Sequence, residues 1–135
     1  MQMDEFVGQV QSGARLGSME QALNATRATL QTLAERLGAE DSRHLAARLP
    51  EGIGQFLDGR EAVAEQFSPD EFLKRISARE GVEAPTADDH ARAVLDTLRQ
   101  AVPAGEIRNV LGHLPEEFAR LFAGTSRRSS YGSGF

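Results

Sequence analysis

The 135 residues contain no cysteine and no tryptophan. Without cysteine, disulfides, thiol catalysis and thiolate-held metals are all excluded. Apolar runs are short, none approaching the ~18 residues of a membrane-spanning helix, and the first residues hold no signal-peptide core. A cytoplasmic protein with no membrane attachment is therefore expected. Lysine is scarce too: Lys74 is the only one among 15 basic residues. GC-rich coding accounts for that arginine bias more simply than a demand for bidentate pairing. The net charge of −5 argues against nucleic acid, which needs a concentrated basic face. By halves, residues 1–67 hold ten acidic and six basic side chains, and 68–135 hold ten and nine. Only the second, Arg-bearing half and its tail keep weak nucleic-acid binding open as an alternative.

The remainder, 40% hydrophobic and 26% charged, is ordinary for one globular domain able to bury about two-thirds of its unfolded surface. Its organisation shows in an echo. "MDEFV" begins at Met3 and "PDEFL" at Pro69, so Phe6, Val7 and Val10 fall on Phe72, Leu73 and Ile76 at an offset of 66. One residue is then lost. At 65, Ala28, Leu30, Thr32 and Leu33 fall on Ala93, Leu95, Thr97 and Leu98, and "LPEGIGQFLDG" from Leu49 falls on "LPEEFARLFAG" from Leu114. Matches sustained in register over nearly sixty residues read as an internal tandem repeat. The copies, about 3–59 and 69–124, are each too small to fold comfortably alone. They are expected to share one core about a pseudo-twofold axis, as a single domain over 1–124.

Each copy reads as four helices, so the expected fold is all-α with eight short helices. Helix one spans 3–11 and 69–79. Ser68-Pro69-Asp70-Glu71 is a strong start, with Ser68 as cap, Pro69 in the first turn and Glu71 closing a capping box. Asp-Glu suits the positive end of a helix dipole, which explains the "DEF" echo without catalytic carboxylates. Helix two spans 19–37 and 87–101, capped by Ser18 and Thr86. Its stripes are Ala22, Thr26, Leu30, Leu33, Leu37 and Ala91, Val94, Leu95, Leu98, Val102, and Gly38 and Pro103 end it. Helix three spans 40–48 and 104–113. Helix four, opened by Pro50 and Pro115, spans 50–57 and 115–122, with Ile53, Phe56, Leu57 and Phe118, Leu121, Phe122 facing inward. Gly52 and Gly54 replace Glu117 and Ala119 of the other copy at about 1 kcal/mol each in helix propensity. Relaxed constraint in one copy is the simpler account, and close approach of another backbone the alternative.

Chemistry-bearing patterns are few. Glu40, Asp41 and His44 share a helical face, a possible carboxylate–histidine metal site. The offset, however, places Asn109 opposite His44 and Arg48 opposite His113, so no ligand set is repeated, and His44, His90 and His113 are expected to face solvent. No nucleophile elbow, phosphate loop or dinucleotide fingerprint occurs, and "GARLG" from Gly13 merely joins two helices. Asp88-Asp89 and Glu116-Glu117 read as first-turn capping acids. No catalytic, cofactor-binding or metal residue is assigned, no cofactor is expected, and an enzyme is not. The tail over 125–135, "TSRRSSYGSGF", is Ser/Gly-rich and expected to be disordered.

The first helix, "AVLDTL" from Ala93, the Leu-Pro pairs and the junction "GREAVAEQFSPDEFLKRI" from Gly59 resemble the bacterial domain-of-unknown-function family 2267. The similarity runs from about Met3 to Gly124. It implies a small, soluble, helical twofold-repeat protein, and carries over no catalytic or binding residue. Many relatives have tryptophan near the end of the fourth helix, where this chain has none. The function expected is that of a non-catalytic module for protein interaction or self-association, its partner another protein or a second copy. The alternative is a regulatory domain binding a small apolar ligand between the repeats.

Overall fold

Local signals set most of the helix starts. The Ser68 hydroxyl accepts from the Glu71 amide at 3.2 Å, and the Ser18 hydroxyl accepts from the Gln21 amide at 3.2 Å, as N-caps do. At the chain's start the Gln2 amide donates to Glu5 Oε1 at 2.8 Å. The computed structural model describes residues 1–58 and 63–122, and over these it is all-helical, with no strand. Six α-helices follow in order: α1 (Met3–Ala14), α2 (Met19–Leu37), α3 (Ala39–Ala46), α4 (Pro69–Glu80), α5 (Ala84–Ala101) and α6 (Ala104–Gly112). Two 3-10 turns, Gly54–Leu57 and Glu116–Phe118, lie after α3 and α6. The tail over 125–135 lies outside the described residues.

The long helices α2 and α5 lie against each other, and each is flanked by both α1 and α4. All ten stripe residues expected on these two helices are buried. Phe6 and Phe72 are 0% and 1% exposed, and the buried residues of 1–58 and 63–122 join in one hydrophobic core. Phe72 meets Phe118 edge to face at 5.7 Å between ring centres, tying α4 to the second 3-10 turn. Gly38, at φ +88, turns the chain from α2 into α3. A side chain there would crowd the connecting segment, since a Cβ would lie 3.0 Å from the Ala64 nitrogen.

Four expectations are corrected. Helix α5 begins at Ala84, not 87, with Pro85 inside its first turn and Glu83 at the cap position, so Thr86 caps nothing and Asp88-Asp89 lie a turn deeper. Glu71 does not close a capping box, because its carboxylate turns to Arg75 at 3.0 Å. No fourth α-helix runs from Pro50. Gly52 takes φ +94, outside helical geometry, and the chain tightens into a 3-10 turn at Gly54. In the other half, Glu116–Phe118 is likewise 3-10 before helical backbone resumes over 119–122. Gly54 is also not a relaxed position: a Cβ would sit 2.7 Å from the Ala46 carbonyl oxygen, so the close backbone approach is the true account.

Candidate functional site

Among the described residues, two largely apolar grooves and one polar cleft are concave surfaces that could hold a ligand. The first groove, about 480 Å³, runs between α3 and the 3-10 turn after it, over Ala39, Ala46, Leu49, Gly54 and Leu57 with Arg43 at its edge. Gly54 makes it possible, since its missing side chain lets the turn lie on the end of α3. The second, about 680 Å³, runs between the ends of α5 and α6 and residues 119–122. Ala104, Ile107, Leu111, Ala119 and Phe122 line it, with Arg108, Arg99, Asp96 and Gln100 around them. Arg99 is held there by donating to the Phe122 carbonyl at 2.9 Å. The cleft, about 400 Å³, lies between α1 and α5 and is lined by Glu5, Gly8, Gln9, Ser12, Gly13, Ala93, Asp96, Thr97 and Gln100. The first groove thus sits away from the α1–α5 contact, whereas the second adjoins the cleft on it and shares Asp96 and Gln100 with it.

A charged cluster fills the opposite contact, between α4 and α2. Arg75 donates to Glu71 at 3.0 Å, to Glu35 at 3.1 Å and to Glu65 at 3.1 Å, with its guanidinium 4.0 Å above the Phe67 ring. Arg79 bonds Thr32 Oγ1 at 2.7 Å and also pairs with Glu35. Partial burial pushes the Glu35 carboxyl up, but the hydrogen bonds and charges of Arg79 and then Arg75 outweigh it and hold it below its ordinary value. The bond from Glu71, ahead of those from Glu35 and Glu65, raises the Arg75 guanidinium. Buried Arg36 donates to the Phe67 carbonyl at 2.9 Å and lies 5.3 Å from the Phe118 ring centre. Desolvation lowers its pKa.

The histidines part company. His44 is exposed and does not meet Asp41. Asp41 instead takes His113 Nδ1 at 2.8 Å, bridging α3 to the end of α6. His90 is not solvent-facing, as expected from sequence, but buried on α5, where its Nδ1 meets Glu80 Oε2. Sequence reading missed both pairs because each joins two helices, and it missed the Arg75–Glu35 cluster for the same reason. Among the described residues no group of three or more His, Asp or Glu could hold a metal ion. No helix among them is long and apolar enough to cross a membrane.

Of the arginines in the second half, Arg75, Arg79, Arg92, Arg99 and Arg120 all donate to acceptors of this chain. A search of curated proteins finds no match. The model of the family described as "Uncharacterized conserved protein (DUF2267)" matches residues 3–121, nearly the whole of the helical region, and the chain belongs to that family.

Proposed function

We propose that this protein is a non-catalytic binding module built from two copies of one helical unit about a pseudo-twofold axis, and that each copy offers a partner protein the same groove. Polar contacts at positions 65 or 66 apart support the twofold reading. Arg48 approaches Glu106 at 4.0 Å, and Asp41 approaches His113 at 2.8 Å. Arg48 is equivalent to His113 and Asp41 to Glu106, so the two contacts are one contact repeated reciprocally, as twofold symmetry requires. Helices α1 and α4 end alike: Arg15 and Gly81 both take left-handed backbone, at φ 57 and 78. Beside them Gln11 closes onto the Leu16 carbonyl and Ser77 onto the Val82 carbonyl. Thr32 and Thr97 each donate to the carbonyl four residues back.

The observation that carries the function is the correspondence of the two grooves. Ala39, Arg43, Ala46, Gly54 and Leu57 of the first stand where Ala104, Arg108, Leu111, Ala119 and Phe122 stand in the second. Each groove has an apolar floor and an arginine, Arg43 or Arg108, at its edge, beside Glu51 and Asp58 in the first and Asp96 in the second. This fits an amphipathic segment of a partner protein, inserting apolar side chains and placing a carboxylate at the arginine. Two such sites on one chain allow a bivalent partner to gain from effective concentration.

The test is retention of proteins from a cell extract by the wild-type chain and by Ala46→Glu and Leu111→Glu, each of which places a carboxylate on one groove floor. A partner retained by wild type, weakened by each single variant and lost from the double variant supports the reading. Equal retention by all four chains, or none by any, overturns it.

A further inference from the structure

We infer that the polar cleft between α1 and α5 is a receptor for the guanidinium of an arginine presented by a partner protein. The chain supplies its own precedent in the contact of α4 with α2. There two arginines of α4 fill the interface: Arg79 reaches Thr32 and Glu35, and Arg75 reaches Glu35 and Glu71. In the equivalent contact of α1 with α5 the donors are gone. Gly13 stands for Arg79 and Gln9 for Arg75. Thr97 stands for Thr32 and Glu5 for Glu71; the carboxylate of Glu35 gives way to the amide of Gln100, and a carboxylate stands instead at Asp96, where the other half has a neutral Gln31. What is left is an open space of about 400 Å³ whose only charged lining groups are Glu5 and Asp96, both acidic.

The acceptors are placed for a forked donor. Asp96, its side chain 21% exposed, is fixed by Gln100 Nε2 at 3.1 Å and approached by Arg99 at 3.8 Å. Thr97 spends its proton on the Ala93 carbonyl at 2.9 Å and so offers lone pairs only. Glu5 accepts from Gln2 at 2.8 Å, which leaves its carboxylate further acceptor capacity. Gly8 has nothing within 4 Å of where a side chain would begin, so the mouth is clear. A planar guanidinium can engage a carboxylate and a hydroxyl together, whereas an ammonium is a compact point charge with stronger hydration.

This inference rests on the equivalence of the two halves proposed above but not on the apolar grooves, so the two readings fail separately. The test is an amide-resolved NMR titration of the whole chain at low salt with N-acetyl-arginine amide, its lysine counterpart and its norleucine counterpart. Saturable shifts at Gly8, Gly13, Thr97 and Gln100 are expected with arginine, at millimolar affinity. Asp96→Asn is expected to weaken binding about tenfold or more, the loss of one charge-assisted hydrogen bond. Gly13→Arg, which restores the missing donor from within, should abolish it, and the spectra report whether each variant is folded. Ala46→Glu should leave the titration unchanged. Absence of saturable shifts at the cleft, equal response to norleucine, or full binding by folded Gly13→Arg overturns the inference.

Discussion

His90→Ala should cost far more stability than its size suggests. Glu80 closes α4 with a side chain only 3% exposed, against His90 at 9%. One carboxylate oxygen meets His90 Nδ1, and the other has no hydrogen-bond partner among the described residues. Removing the imidazole leaves a buried carboxylate without its partner, a loss of about 3–5 kcal/mol. For a domain of this size that lowers Tm by roughly 10–20 °C. The double variant Glu80→Ala/His90→Ala removes both polar groups together, and the twofold reading proposed above sets Ala14 and Ala25 at the equivalent positions. The double variant should return to within about 1 kcal/mol of wild type, giving a coupling energy of about 2 kcal/mol or more. Urea denaturation followed by circular dichroism measures all four chains with one reference slope. A double variant no more stable than His90→Ala, or a His90→Ala cost below about 1 kcal/mol, refutes the reasoning.

Glycine substitutions separate crowded from open sites in the same urea assay. Gly54→Ala, aimed at a backbone oxygen, should destabilise by more than about 1 kcal/mol, whereas Gly8→Ala on α1 should stabilise by about 0.5–1 kcal/mol. Phe118→Ala, which removes the edge-to-face contact with Phe72 and the ring beside Arg36, should cost about 3–5 kcal/mol. Because Glu35 titrates below its ordinary 4.5, the unfolded chain binds its proton first as pH falls. The advantage of wild type over Glu35→Gln should therefore be complete at neutral pH, shrink below about 4.5 and vanish at lower pH, as read by Tm against pH.

What the sequence disclosed follows from how locally each feature is encoded. Helix α2 could be read to its bounds, Met19–Leu37, because a cap, an apolar stripe and a terminating glycine all lie within it. Helix α5 was read three residues short, because Thr86 imitates a cap while Pro85 fits equally well inside a first turn. The missing fourth helix turns on Gly52, whose positive φ of 94 a helical pattern read from sequence does not announce. The site features were least legible: Glu80 meets His90, Asp41 meets His113, and Arg75 meets Glu35, each across two helices. One signal could have found the second pair. On the twofold reading proposed above, positions 41 and 48 correspond to 106 and 113, and such packing would bring the acid of one half to the base of the other reciprocally.

If the halves are equivalent as proposed, their differences carry more information than their likeness. Many large core side chains exchange apolar for apolar, as Phe6 with Phe72 or Leu33 with Leu98, which conserves volume. Polar positions differ in matched sets. Glu80 with His90 replaces two alanines, and Arg79 is present where Glu35 is there to receive it. An unmatched buried charge is too costly to persist, so each change requires its complement within the same contact. In the α1–α5 cleft the arginines are gone, a threonine and one carboxylate keep their places, and a second carboxylate, Asp96, is added. The cleft lies at the surface, where water can hold the acceptors until a donor arrives. The carboxylate of Asp96, present where the other half has a neutral Gln31, is met within this chain by Gln100 and Arg99, and a guanidinium supplied by another protein would add to that shell.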